Sequence, residues 1–272
     1  MLNGSTSIGV FDSGLGGMSV VDAIRRRLPG ESIVYVADSQ FAPYGEKPDE
    51  FIRTRSVALS EWLLQQGAKI LVVACNTATT HAISHLRSRF DVPVIGVEPG
   101  IKPAVQTSVS KVVGVLATAA TLRSQRLRDL LSTHEHECQF VRQAGHGLVE
   151  LIEQGITSGS SIDALLATYL TPMANEGADT LVLGSTHYAL LIPSMERLFG
   201  SQFRLIETAT AIARRVDHQL EAYALRADEN CGPCALHLYS TAVESEKRVP
   251  LERLADALSL IRNRVDCVQI GM

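Results

Sequence analysis

The chain has 272 residues, 46% of them hydrophobic and 20% charged, with a formal net charge of −4 at pH 7. That length supports one large core or two smaller ones, and the composition excludes a disordered or fibrous protein. The acidic balance gives no general drive toward nucleic acid, no apolar run approaches a membrane span, and five scattered cysteines suit a reduced cytoplasm better than a disulfide framework.

Met1–Ser7 carries neither a basic stretch nor a long apolar one, so no secretory signal is read there and a cytoplasmic location is expected. Ile8–Phe11 predicts a buried strand. It leads into the glycine-rich turn Asp12-Ser13-Gly14-Leu15-Gly16-Gly17-Met18-Ser19, which opens a helix. Arg25-Arg26-Arg27 then reads as the solvated end of that helix, not as a nucleic-acid patch. Ile33–Ala37, Ile70–Ala74 and Val94–Val97 predict further buried strands, with helices over Asp49–Gln66 and Thr79–Arg89 between them. Val112–Leu116 and Leu181–Gly184 repeat the strand pattern. Arg204–Ile206, a helix over Thr208–Leu225, Leu238–Tyr239 and Leu251–Ile261 continue it. Such alternation argues for an α/β fold with parallel sheets covered by helices. The punctuated segment Gly96–Pro103 marks a boundary, giving one expected lobe from residues 1–97 with 208–272 and another from 98–207.

Two stretches are near copies. Gln66-Gly67-Ala68-Lys69-Ile70-Leu71-Val72-Val73-Ala74-Cys75-Asn76-Thr77 parallels Glu176-Gly177-Ala178-Asp179-Thr180-Leu181-Val182-Leu183-Gly184-Ser185-Thr186-His187. Ile8–Ser13 echoes Val113–Thr118 at nearly the same spacing. Two related halves, each ending a strand on a nucleophile-type side chain, predict a site built between lobes with chemistry arriving from both faces. That arrangement suits inversion of a stereocentre. In open α/β sheets, ligands bind beyond the carboxyl ends of strands, where Asp12, Cys75 and Ser185 all fall. A lone cysteine after an apolar strand is ordinarily inert filler; here the duplicated polar context argues for function.

The glycine-rich turn lacks the lysine of a P-loop and the third glycine of a dinucleotide fingerprint. Its amides could hold a phosphate or a carboxylate, while Asp12 reads either as an acid–base group or as a helix cap. Cys231-Gly232-Pro233-Cys234 lacks both the flanking strand and helix of a redox motif and the extra ligands of a zinc site, so a surface turn is expected. His81, His85, His134, His136 and His146 form no metal-ligand pattern. His81 and His85 are spaced to share a helix face, which is expected to be exposed.

Gly9–Gly17, Ala42-Pro43-Tyr44-Gly45-Glu46-Lys47, Ala74–Ala78, Val97–Lys102, Leu148–Gly155 and Gly184-Ser185-Thr186-His187-Tyr188 together resemble the glutamate racemases of the cofactor-independent aspartate/glutamate racemase superfamily. The resemblance runs in order over nearly the whole chain. It implies two Rossmann-like lobes, related by a pseudo-twofold axis, that clamp L- or D-glutamate between two cysteines on opposite faces of Cα. It further implies a cytoplasmic homodimer, needing no pyridoxal phosphate, other cofactor or metal, that supplies D-glutamate for peptidoglycan. By this resemblance Cys75 is the first-lobe cysteine, which deprotonates D-glutamate with the help of Asp12. Position 185, assisted by Glu153 and His187, serves L-glutamate. Asp12, Ser13, Tyr44, Gly45, Asn76, Thr77, Thr118, Thr121, Thr186 and His187 would hold the substrate.

Two departures stand out. The family's second-lobe cysteine is Ser185 here, and Asp38-Ser39-Gln40-Phe41 lacks an arginine common in that loop. A thiol titrates near about 8.5 and is readily shifted. An alkanol is a far weaker acid, so impaired turnover is expected. Rival readings are another superfamily enzyme, such as an aspartate racemase or one-cysteine decarboxylase, or an inactive amino-acid-binding protein.

Overall fold

The computed structural model describes residues 7–227, 234–260 and 265–271. Ten strands are present among them: β1 (Ser7–Asp12), β2 (Ile33–Ala37), β3 (Ala68–Val73), β4 (Val94–Gly96), β5 (Val112–Ala117), β6 (Gln139–Ala144), β7 (Thr180–Gly184), β8 (Arg204–Ile206), β9 (Leu236–Ser240) and β10 (Asp266–Cys267). They form two sheets, ordered β10-β9-β2-β1-β3-β4 and β6-β5-β7-β8. Every strand pair in both is parallel. The run β2-β1-β3-β4 in the first lobe therefore recurs as β6-β5-β7-β8 in the second, which is the structural form of the duplication in the sequence.

The strand sequences explain why both faces of the first sheet are covered. Successive side chains point to opposite faces, and here both sets are apolar. Ile8, Val10, Ile33, Tyr35, Ile70 and Val72 join one buried cluster, while Phe11, Val34, Val36, Leu71 and Val73 join another. The first cluster continues into the second lobe through Leu148, Ile152, Leu183 and Tyr188. Burying each such side chain contributes roughly 1.5–3 kcal/mol, so the two lobes share a core. The chain passes between sheets after β4 and again after β8, where helix Ala209–Ala222 packs on helix Met18–Arg27.

Several elements differ from their sequence signals. β6 carries no apolar run, since it is a sheet edge whose residues are exposed or half-buried. Helix Ser160–Asn175 went unsignalled. The helix expected from Thr79 begins at Asn76, because Cys75 caps it. The Leu251–Ile261 segment is helical over Val249–Ala257 and is stopped near Ser259, whose φ is 53°; Ile261 lies outside the described residues, as do Cys231, Gly232 and Pro233. His81 does not share an exposed face with His85. Its side chain is buried, with Nδ1 3.4 Å from Asp49 Oδ2 and Nε2 3.2 Å from the carbonyl of Ala120 in the other lobe. Among the described residues no helix is long and apolar enough to cross a membrane.

Candidate active site

On the first-lobe side, β1 delivers Asp12 and β3 delivers Cys75 to the same carboxyl edge. Cys75 adopts an extended backbone and caps helix Asn76–Arg89, its sulfur accepting from the amide of Ala78 at 3.4 Å. The thiol donates to Ser13 Oγ at 3.5 Å, and Ser13 Oγ donates to Asp12 Oδ1 at 3.4 Å. Asp12 Oδ2 accepts from the amide of Gly17, the residue that begins the next helix, at 2.7 Å. Asp12 is thus a helix cap and, through Ser13, a partner of the thiol. Both groups are buried. Burial, reinforced by the Asp12 charge, pushes the Cys75 thiol up to about 12 against the pull of the helix amide. Burial also raises Asp12, partly offset by His187 and supported by Glu153.

The second-lobe side is built differently. Ser185 follows β7 as the cap of a short helical turn, Thr186–Leu191, yet its hydroxyl makes no capping bond. His187 Nε2 meets Glu153 Oε1 at 2.5 Å, and the same oxygen accepts from the amide of Leu15 at 2.8 Å. Burial disfavours the imidazolium, but the Glu153 hydrogen bond and charge, with Asp12, outweigh it and hold His187 above its ordinary value. Two glycines of the turn are explained by these neighbours. A methyl group at Gly14 would overlap the Glu153 carboxylate, and one at Gly16 would overlap the His187 ring. Gly14 and Gly16 therefore face side chains of the other lobe, while Gly17 lies against Asp12 and Tyr35 of its own lobe. Two of its amides hold the protein's own carboxylates, Asp12 and Glu153, where the sequence suggested a bound anion.

A hydroxyl cluster crosses the lobes. Thr77 Oγ1 is 2.9 Å from Thr118 Oγ1 and 3.4 Å from Thr121 Oγ1, with Thr118 and Thr121 bonded at 3.0 Å. Thr118 caps its helix by accepting from the Thr121 amide. A methyl at Gly45 would come within 3.2 Å of Thr118 Cβ, so Gly45 also faces the opposite lobe. Asn76 Nδ2 donates to the Val97 carbonyl at 3.5 Å, while its Oδ1 is buried without a partner among the described residues. Thr186 is buried beside Ser185 and His187. Asp12, Ser13 and Cys75 thus form one set, Glu153 and His187 a second, and Gly45, Thr77, Thr118 and Thr121 a third.

The Tyr44 hydroxyl donates to the buried carboxylate of Asp38, a partner that the sequence does not signal. Burial, with the Asp38 charge and hydrogen bond, raises its phenol well above the ordinary value. Sequence reasoning missed this partner, and it missed Arg55, which packs its guanidinium over Phe41 in the very loop noted for lacking an arginine. It also missed Tyr35, which donates to the Gly14 carbonyl at 2.5 Å from behind the turn. Among the described residues no group of three or more His, Cys, Asp or Glu is placed to hold a metal ion. A cavity of about 750 Å³ lies elsewhere, between Arg87, Lys102 and Arg215, and none of the candidate residues lines it.

Comparisons with known proteins identify the family. A glutamate racemase of Cupriavidus pinatubonensis is 49% identical over 263 residues, covering 97% of this chain and 95% of that one. The crystal structure of Escherichia coli glutamate racemase in complex with L-glutamate and the activator UDP-MurNAc-ala matches with a TM-score of 0.86 and 32% identity, over 98% of this chain and 100% of that one. That of Francisella tularensis glutamate racemase with D-glutamate matches at 0.83 and 25% identity, over 97% and 98%. With residues 8–216 matching the Asp/Glu/Hydantoin racemase model, the chain belongs to that family.

Proposed function

We propose that this chain acts on glutamate as a cofactor-independent racemase, moving a proton at Cα, and that Ser185 leaves it impaired. The observation that carries the reading is the placement of Cys75 and Ser185 after β3 and β7, the equivalent strands of two repeated sheets, with Cys75 bonded through Ser13 to Asp12 and the Glu153-bonded His187 two residues after Ser185. The substrate assignment is supported by relatives named glutamate racemase and by the L- and D-glutamate complexes among the matching structures.

On the Cys75 face, a thiol at about 12 is protonated at neutral pH. It becomes a base by passing its proton to Ser13 Oγ as Ser13 passes its own to Asp12, whose buried carboxylate takes a proton more readily than usual. Entry of the substrate's ammonium group favours that shift by stabilising the nearby thiolate. The thiolate then removes Cα–H from D-glutamate. The carbanion needs preorganised hydrogen bonds at its carboxylate, for which Asn76, Thr77, Thr118, Thr121 and the Tyr44–Gly45 main chain are the candidates. On the opposite face, a hydroxyl must serve where a thiol would serve better. Ser185 Oγ has no hydrogen-bonded partner among the described residues to deliver or draw off its proton.

We further infer lobes of residues 1–97 with 208–272 and of 98–207, a cytoplasmic homodimer, and a role in supplying D-glutamate for peptidoglycan; the family resemblance supports these. Isothermal titration is expected to show glutamate binding with weak or undetectable turnover. Turnover like that of an intact two-thiol racemase would contradict the role given to position 185.

A further inference from the structure

Asp38 is the first residue beyond β2, and its amide donates to the Asp12 carbonyl at 2.9 Å, so it sits beside the end of β1 that carries Asp12. Its carboxylate is fully buried and accepts four side-chain donors. Arg55 contributes Nε at 3.0 Å and Nη2 at 2.6 Å, Thr241 Oγ1 donates at 2.9 Å, and the fourth is the Tyr44 hydroxyl. Arg55 is fully buried as well. Its remaining nitrogen, Nη1, donates to the carbonyls of Ile270 at 2.7 Å and Gly271 at 2.9 Å. The guanidinium lies 4.6 Å from the centre of the Phe41 ring. One side chain from helix Asp49–Gln65 therefore ties together the loop that carries Tyr44 and Gly45, the residue after β9, and the segment after β10.

A structural ion pair alone would account for Arg55 and Asp38, because a buried carboxylate needs compensation. It does not account for the Tyr44 hydroxyl being drawn into the same carboxylate. Nor does it account for Gly45, the next residue, being pressed toward Thr118 and hence toward the Thr77–Thr118–Thr121 cluster. We propose that Arg55, held by the Ile270–Gly271 carbonyls, is a positioning residue that fixes the Tyr44–Gly45 loop over the cleft through Asp38. The identity of the ligand rests on the glutamate reading above; the placement of the loop does not. Lysine cannot replace Arg55 in this role, since one ammonium cannot bond both Asp38 oxygens and two carbonyls at once.

The test uses the full chain with Arg55→Lys, Tyr44→Phe and the pair together. Two quantities are measured: deuterium uptake of residues 39–47 without glutamate, and D-glutamate affinity by calorimetry. Arg55→Lys is expected to speed uptake in 39–47 and to weaken glutamate about tenfold or more, since small misplacements of positioning groups are costly. Tyr44→Phe, which deletes one hydroxyl and leaves the ion pair, is expected to reproduce the affinity loss. Because both act along one path, the double variant should bind no worse than Arg55→Lys alone. Unchanged uptake in 39–47, or affinity losses that multiply, would overturn the proposal. If Arg55→Lys does not fold, Tyr44→Phe decides by the same two measurements. If the unaltered chain binds no glutamate, the substrate reading fails and uptake in 39–47 alone decides the positioning role.

Discussion

The amide of Leu15 donates to Glu153 Oε1 at 2.8 Å, so a turn of the first lobe holds a carboxylate of the second. The next amide but one in the same turn, that of Gly17, holds Asp12. One short glycine-rich segment thereby sets the positions of both acidic groups assigned to the two faces of the site.

Gly14→Ala tests that arrangement. The added methyl meets the end of a flexible side chain, not main chain, so the Glu153 carboxylate should swing away from His187 at little cost to the fold. In a Ser185→Cys background, racemisation should fall about 10²-fold, while chemical denaturation shifts by no more than about 1 kcal/mol. Equal loss of stability and activity would show that the turn only packs.

Ser185→Cys itself should raise racemisation by about 10²–10⁴-fold, the usual worth of an acid–base partner. A change under about twofold would contradict the two-face assignment, since the thiol would then be supplying nothing.

The strands were legible because both faces of a covered parallel sheet are apolar, and the Cys75/Ser185 correspondence was legible because the duplication survives in the residues around each. β6 was not, since an edge strand with exposed Gln139 and Arg142 carries no such signal. The Arg55–Asp38–Tyr44 network was not legible either. Its parts come from a strand end, a helix and the segment after β10, which only the fold brings together. In the turn Ser13–Gly17 spacing reveals the glycines, but not the carboxylates of Asp12 and Glu153 that accept from its amides.

Cys75 makes a pH prediction. With its thiol pushed up to about 12, alkylation by iodoacetamide, followed on the Cys75 peptide by mass spectrometry, should keep rising across the alkaline range. An exposed cysteine instead levels off above about 8.5. A plateau near that value would contradict the burial and Asp12 effects assigned to Cys75.

His187 makes another. Its folded-state value is raised, chiefly by Glu153 working against burial. The stabilisation this contributes is complete below the ordinary histidine value of about 6.5 and is lost as pH rises through the raised one. Glu153→Gln should therefore cost most stability on the acid side of neutrality, with the gap to the unaltered chain narrowing as pH rises through the raised His187 value. A gap that widens with pH would mean the pair is not held as imidazolium and carboxylate.

Solvent exchange at Cα tests the assignment of Cys75 as the one working base most directly. In D₂O, D-glutamate meets the Cys75 thiolate and L-glutamate meets only Ser185. The account predicts deuterium incorporation into D-glutamate faster than into L-glutamate, and faster than inversion, because Cys75 returns the deuteron to the face it came from. Cys75→Ser should abolish it. Equal incorporation into both enantiomers, or incorporation that survives Cys75→Ser, would contradict the account.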